Sequence, residues 1–236
     1  MTQPLHRAII RRIWGECEHT RRFEFELVEG PPFVFRAGQF ISLHFNSNGG
    51  RIALPYSIAA HLPGRRFELC VNILPGSPEG DSWFRNAKVG ESLEFTGPFG
   101  AFKLHQPPDG VSAFVATGTG IAPIRAMIHE LYRSCQPKEA WLIFGVRREA
   151  DIVYWQEFES LAREHPSLHF IPTLSRPGPD WKGHRGYVQV QVQKYLDGKT
   201  GLHAYICGSP QMIAEVRELL NAMGYPPDAI SFERFE

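Results

Sequence analysis

Hydrophobic and polar positions follow two different rhythms along this chain, and the change falls near residue 106. Before it, apolar residues recur in short, largely alternating runs bounded by glycine and proline, the period of half-buried strands. Strands are predicted at Leu5–Trp14, Thr20–Leu27, Gly38–Phe45, Tyr56–Ala60, Arg66–Leu74 and Ser92–Thr96. Six short strands at this spacing predict a small antiparallel barrel. One helical piece, Ser82–Asn86, interrupts them and is entered from the glycine- and proline-bearing turn at 76–81.

The segment His105-Gln106-Pro107-Pro108-Asp109-Gly110 is a polar, proline-bearing linker. It sets the expected boundary between a domain at 1–106 and a second at 107–236. Beyond it, apolar runs alternate with stretches of helical period. Strands are predicted at Val111–Ala116, Glu139–Phe144, Leu168–Leu174, His203–Cys207 and Ile230–Phe235. Helices are predicted at Pro123–Ser134, Tyr154–Glu164, Val188–Tyr195 and Pro210–Ala222. Such alternation calls for βαβ units and a parallel sheet covered on both faces. The expected class is therefore two-domain, β followed by α/β.

Charge narrows the function. Lys+Arg and Asp+Glu both number 25, which argues against a nucleic-acid binder that relies on bulk phosphate attraction. No apolar run is long enough to span a bilayer, so no membrane insertion is expected. Cys17, Cys70, Cys135 and Cys207 lie far apart without a C-x-x-C pair. That spacing suits neither a zinc site nor a plant-type iron–sulfur cluster and fits a reducing cytoplasm.

Three predicted strand-to-helix turns are candidates for a ligand at the carboxyl edge of the parallel sheet. They are Thr117-Gly118-Thr119-Gly120 with Pro123 in the following turn, Gly145-Val146-Arg147-Arg148, and Cys207-Gly208-Ser209-Pro210. Glycines let backbone approach a phosphate, and the positive end of a helix dipole favours it. The barrel half carries its own cluster, Leu54-Pro55-Tyr56-Ser57 and Gly80-Asp81-Ser82. A tyrosine beside a serine can lay a ring on a planar ligand and offer a hydroxyl at its edge. Glu157 and Glu159 read as a solvated helix face. Arg7, Arg11, Arg12, Arg21 and Arg22 read either as a docking surface for an acidic partner or as a solvated barrel edge.

Taken together these motifs resemble the ferredoxin–NADP reductase superfamily over essentially the whole chain. The resemblance implies a flavin-binding antiparallel barrel followed by a pyridine-nucleotide domain. The family's Arg-x-Tyr-Ser motif falls on Leu54-Pro55-Tyr56-Ser57, so that Tyr56 would stack on the isoalloxazine and Ser57 would bond near flavin N5. A second flavin turn falls on Gly80-Asp81-Ser82, and Val71 is assigned to the flavin site by the same likeness. GTGIAP at 118–123 and Cys207-Gly208-Ser209-Pro210-Gln211-Met212 match the family's two nicotinamide-nucleotide motifs. Cys207 would lie near the nicotinamide C4, and Phe235, in a tail like that of oxygenase reductases, beside the flavin. The motif arginine that contacts the flavin pyrophosphate is Leu54 here, which keeps FMN and a dissociable flavin open beside FAD.

The implied function is an NAD(P)H-dependent flavoprotein reductase that passes hydride to the flavin and electrons to a separate acceptor, a ferredoxin or an oxygenase component. Ser57, Cys207 and Phe235 would carry the transfer. Ser175 with Arg176, together with Arg147 and Arg148, favours NADPH over NADH, because arginine suits a 2′-phosphate. Two alternatives stay open: an NAD(P)H:free-flavin reductase, and a non-catalytic electron-transfer or regulatory subunit of a larger complex.

Overall fold

The computed structural model describes residues 4–17, 19–47, 50–73, 79–105, 110–134 and 139–234, without the side chains of Glu16, Ser47, Glu79 and Asp81. Its first half is a closed antiparallel barrel of β1 (His6–Cys17), β2 (Thr20–Leu27), β3 (Phe40–Ser47), β4 (Gly50–Leu62), β5 (Arg66–Asn72) and β6 (Ser92–Phe99). The strands close in the order β1-β2-β5-β4-β3-β6. Alternate positions point inward, and phenylalanines fill the interior. Phe25 stacks on Phe67 at 5.5 Å, and Phe95 meets Phe67 edge-on at 5.4 Å. Each such wholly buried ring contributes about 1.5–3 kcal/mol relative to an exposed one.

The strand bounds shift by a few residues at β1, β3 and β6, and β4 differs most from the expectation. The predicted strand Tyr56–Ala60 is the middle of β4, which extends back through Pro55. Proline reads as a strand breaker in sequence. Here Gly50–Ser57 pairs with β3, and pairing with β5 begins only at Ile58. Proline is tolerated in an edge-like stretch of this kind. The consequence for function is an uncovered face: no residue of β4 before Ser57 is buried, whereas Ser57–Ala60 all are. The helix α1 (Glu79–Asn86) starts three residues earlier than predicted, so Gly80 and Asp81 lie inside its first turn. Leu74, predicted to end β5, and the 106/107 boundary lie outside the described residues.

The second half is a six-stranded parallel sheet in the order β10-β9-β8-β7-β11-β12. Its strands are β7 (Val111–Thr117), β8 (Glu139–Val146), β9 (Leu168–Leu174), the unpredicted two-residue β10 (His184–Arg185), β11 (Leu202–Gly208) and β12 (Ile230–Arg234). Its helices are α2 (Ile121–Ser134), α3 (Trp155–Glu164), α4 (Val188–Leu196) and α5 (Pro210–Ala222). Strand alternation separates two cores. Phe114, Leu142 and Phe144 pack with α2 and α3, while Val115, Ile143 and Ile206 pack with α4 and α5. The first core continues into the barrel half through Ala37, Ala59, Cys70, Phe102 and Leu104. Helix α2 is thus wedged between sheet and barrel, with its N-terminal turn at the seam.

Candidate functional site

Strand order places the ligand edge. The chain runs outward from β7 through β8 and β9 to β10, then returns to β11 on the other side of β7. The switch point lies between β7 and β11, and an open parallel sheet binds ligands at the carboxyl ends of the strands there. The turns Thr117–Gly120 and Gly208–Pro210 occupy that position. They interlock: a Cβ on Gly120 would overlap the Cys207 carbonyl, and one on Gly208 would overlap the Thr117 hydroxyl. Gly118 is different. Its φ is +54°, and among the described residues, its chain neighbours aside, nothing lies within 4 Å of where its Cβ would stand. Gly118 is therefore the glycine that leaves room for a ligand. Gly120, expected to do the same, instead lets the two turns touch. Ser209 caps α5 by accepting from the Met212 amide at 3.4 Å, and Pro210 takes the first helical position.

In the barrel half, Tyr56 and Leu54 are half-buried on the uncovered part of β4. Gly80 sits hard against them: a Cβ there would be 2.5 Å from the Tyr56 hydroxyl and 2.6 Å from Leu54 Cδ1. The N-terminus of α1 is therefore held on the Leu54–Tyr56 strand, bringing an aromatic face and the first helix amides into one seat. At the end of β5, beyond Val71, the buried Asn72 Oδ1 has no hydrogen-bond partner among the described residues. That acceptor is left for a ligand donor, and the seat fits a flavin. Ser82 is exposed on α1.

The two halves meet at a carboxylate that the motifs do not single out. Cys207 and Glu233 are register partners on β11 and β12. From β12, Glu233 reaches across to the barrel, where Ser57 Oγ donates to its Oε2 at 3.2 Å. Burial pushes the Glu233 carboxyl up to about 7, against the opposing effect of the Ser57 bond. Burial, and then the Glu233 charge, push the Cys207 thiol well up, which favours its protonated form. Ser57, Cys207 and Glu233 form one cluster at the seam. Phe235, the third residue expected there, lies outside the described residues.

The loops after β8 and β9 are held side by side. The Ser175 amide donates to the Val146 carbonyl at 3.0 Å and the Arg176 amide to Arg147 at 2.8 Å, continuing the parallel pairing beyond the strand ends. Arg147, Arg148 and Arg176 are exposed there. The barrel arginines are mostly engaged within the molecule. Arg7 bonds Ser92, Arg11 pairs with Glu26, and Arg22 turns inward to Glu68. Glu157 also departs from its expected place on a solvated face. It accepts two bonds from Arg125 and one contact from His129. Burial raises its carboxyl, but the His129 bond and the Arg125 charge prevail and hold it at about 2.

A flavin seat on a barrel, facing a dinucleotide edge at a parallel-sheet switch point, defines a flavin-dependent nicotinamide-nucleotide oxidoreductase. Known proteins agree with that class. Residues 9–104 match the family described as the oxidoreductase FAD-binding domain, and residues 114–218 match the oxidoreductase NAD-binding domain. Ferredoxin–NADP reductase B of Sorangium cellulosum is 38% identical over 92% of this chain and 91% of its own. The reductase component of phenol 2-monooxygenase from a Pseudomonas species is 31% identical, and this chain spans 58% of its length. The crystal structure of the Amycolatopsis cytochrome P450 reductase GcoB superposes with a TM-score of 0.87 at 31% identity, covering all of this chain and 71% of that one. The chain belongs to the ferredoxin–NADP reductase family.

Its cofactors are FAD and a nicotinamide dinucleotide, and it is an NAD(P)H-dependent flavoprotein reductase. No helix among the described residues is long and apolar enough to cross a membrane.

Proposed function

We propose that this reductase takes hydride from NADPH at the seam between its halves and delivers electrons to a separate one-electron protein acceptor, a ferredoxin or an oxygenase component, in the cytoplasm. The observation that carries the reading is the Ser57–Glu233 hydrogen bond, which joins the flavin half to the nucleotide half at the edge where both ligand seats open. When bound, the flavin supplies the two-electron to one-electron chemistry. Tyr56 presents its ring to the flavin, α1 and Gly80 its phosphate seat, and Gly118 the approach for the dinucleotide. Thr117, Thr119, Pro123 and Met212 shape the nucleotide turns around it. Cys207, protonated and buried, fills space beneath the nicotinamide position. Ser57 Oγ and Glu233 Oε2 hold the proton that hydride transfer and electron release leave behind.

Nucleotide choice follows from the two adjoining loops. Arg147, Arg148 and Arg176 make no ion pair among the described residues, which suits a 2′-phosphate. Arg176→Gln is expected to raise the KM for NADPH about tenfold, the worth of a charged hydrogen bond to phosphate, and to leave that for NADH in place. Steady-state kinetics with both nucleotides check this. An equal rise for both would place Arg176 outside the 2′-phosphate site.

A free-flavin reductase is the second reading, and one observation favours it: Leu54 stands where the family motif has arginine and packs on the barrel core. Restoring the charge with Leu54→Arg is expected to tighten FAD by about one to two decades, read by fluorescence titration of the apoprotein. No gain would mean that the phosphate is already held by another cation. Retention of flavin on dilution of the wild-type protein would count against the second reading.

A further inference from the structure

An alternating stack of cations and rings crosses the seam between the two halves. The Arg12 guanidinium lies 4.5 Å from the Trp14 ring, and Arg22 covers the same ring at 4.9 Å. Arg22 also lies 4.6 Å from the Tyr154 ring, and Arg125 covers Tyr154 at 4.5 Å. Two carboxylates lock the stack. Glu68 on β5 accepts Arg22 in bidentate fashion at 2.8 and 2.9 Å and the Tyr154 hydroxyl at 2.8 Å, and stands 3.5 Å from Arg125. Glu157 on α3 accepts Arg125 in bidentate fashion at 2.6 and 3.0 Å. Glu68 is 2% exposed and Tyr154 3%, so the centre of the network is interior. Tyr154 has a φ of +61°, the one positive value for a non-glycine residue among those described. A bulky residue takes that conformation only where its surroundings impose it.

Arg125 has one further bond, and it reaches the reaction centre's own strand. Its Nη1 donates to the Ala59 carbonyl of β4 at 3.0 Å, two residues beyond Ser57. On the helix side, Arg125 stands four residues beyond Ile121, where α2 begins, about 6 Å along the helix. The guanidinium thus ties the helix that begins at the nucleotide turn to the strand that carries the flavin seat. An apolar contact can slide, whereas a planar guanidinium forked between two fixed acceptors admits one geometry.

We propose that Arg125 and Tyr154 are positioning residues, which hold the nucleotide turn of α2 in register with the Ser57 strand so that hydride donor and acceptor meet at reacting distance. The proposal rests on the flavoprotein-reductase function. It assigns the network to the rate of the chemical step and not to the affinity for either cofactor. A misplacement near 1 Å can cost about 10²-fold in rate, so partial loosening is expected to be visible well short of unfolding.

Arg125→Lys keeps the charge but cannot fork, Tyr154→Phe keeps the ring but loses the bond to Glu68, and Glu157→Gln weakens the fork from α3. Anaerobic stopped-flow reduction of the bound flavin over a range of NADPH gives the limiting rate and the Kd separately. The limiting rate is expected to fall about tenfold in Arg125→Lys and several-fold in the other two, with Kd and flavin content within about twofold of wild type. In the protein without cofactors, amide exchange over residues 118–124 is expected to rise in the same variants while β1 and β2 stay protected. Unchanged limiting rates with unchanged exchange would overturn the proposal, as would a raised Kd at an unchanged rate. Should Arg125→Lys fail to fold, Tyr154→Phe and Glu157→Gln decide the matter by the same two measurements. Failure of the wild-type flavin to be reduced would instead count against the reductase function.

Discussion

Glu233→Gln is expected to lower turnover with a one-electron acceptor by about 10²-fold, the scale on which a positioned general base acts, while FAD stays bound. The reason is the proton count. NADPH gives up a hydride, the acceptor takes electrons one at a time, and one proton is left behind at the seam. In the proposed function Ser57 Oγ and Glu233 Oε2 are the path for it, and a carboxyl raised to about 7 can both take and release a proton there. Wild-type turnover should therefore rise with pH through about 7, as the carboxylate form becomes populated, and Glu233→Gln should lose that inflection. The same shift has a stability signature. A folded-state value raised above the ordinary 4.5 means that the folded protein binds more protons than the unfolded chain between about 4.5 and 7. Its contribution to stability is complete below that window and is lost as pH rises through it, by at most about 3 kcal/mol. Thermal denaturation of wild type and Glu233→Gln at pH 5 and pH 8 separates this from the kinetic effect. A flat turnover profile in the wild type would remove Glu233 from the proton path.

The second large effect is expected at Gly120. A side chain there meets backbone, the Cys207 carbonyl and the Gly208 nitrogen, which cannot rotate away. Gly120→Val should therefore push the two nucleotide turns apart at a cost of about 1–3 kcal/mol, or roughly one to two decades in nucleotide KM. Because the atoms nearest a Gly120 side chain belong to β11 and not to the barrel, the flavin should remain bound. Loss of flavin from this variant would show that the two seats depend on each other more than their separate scaffolds suggest.

Much of the scaffold was legible because local pattern and tertiary role agree. Thr20–Leu27, Leu168–Leu174 and Pro210–Ala222 have the same bounds in sequence pattern and in structure. Pattern failed where context overrode it. Pro55 looked like a break, yet β4 is paired on one side there, and the resulting open face is where we propose the flavin sits. Gly118 and Gly120 looked alike, and only the turn on the neighbouring strand separates open approach from loop packing. The two carboxylates that matter most at the seam do not stand out in sequence for a simple reason. Glu233 meets Ser57 across 176 residues, and Glu157 meets Arg125 across 32. No periodicity or spacing encodes either pair, and a glutamate seen on its own helix reads as solvated surface.

One chain holding a flavin in its barrel and bringing a nicotinamide to it across the seam is the feature from which every other role follows. Anaerobic titration of the flavin-loaded protein with NADPH and with NADH in parallel, followed through flavin absorbance, tests it most directly. The expected result is a yellow protein bleached by one equivalent of NADPH at a limiting rate well above that of slow, non-specific reduction, with NADH effective only at higher concentration. A protein that cannot be loaded with FAD, or a bound flavin that neither nucleotide reduces, would contradict it.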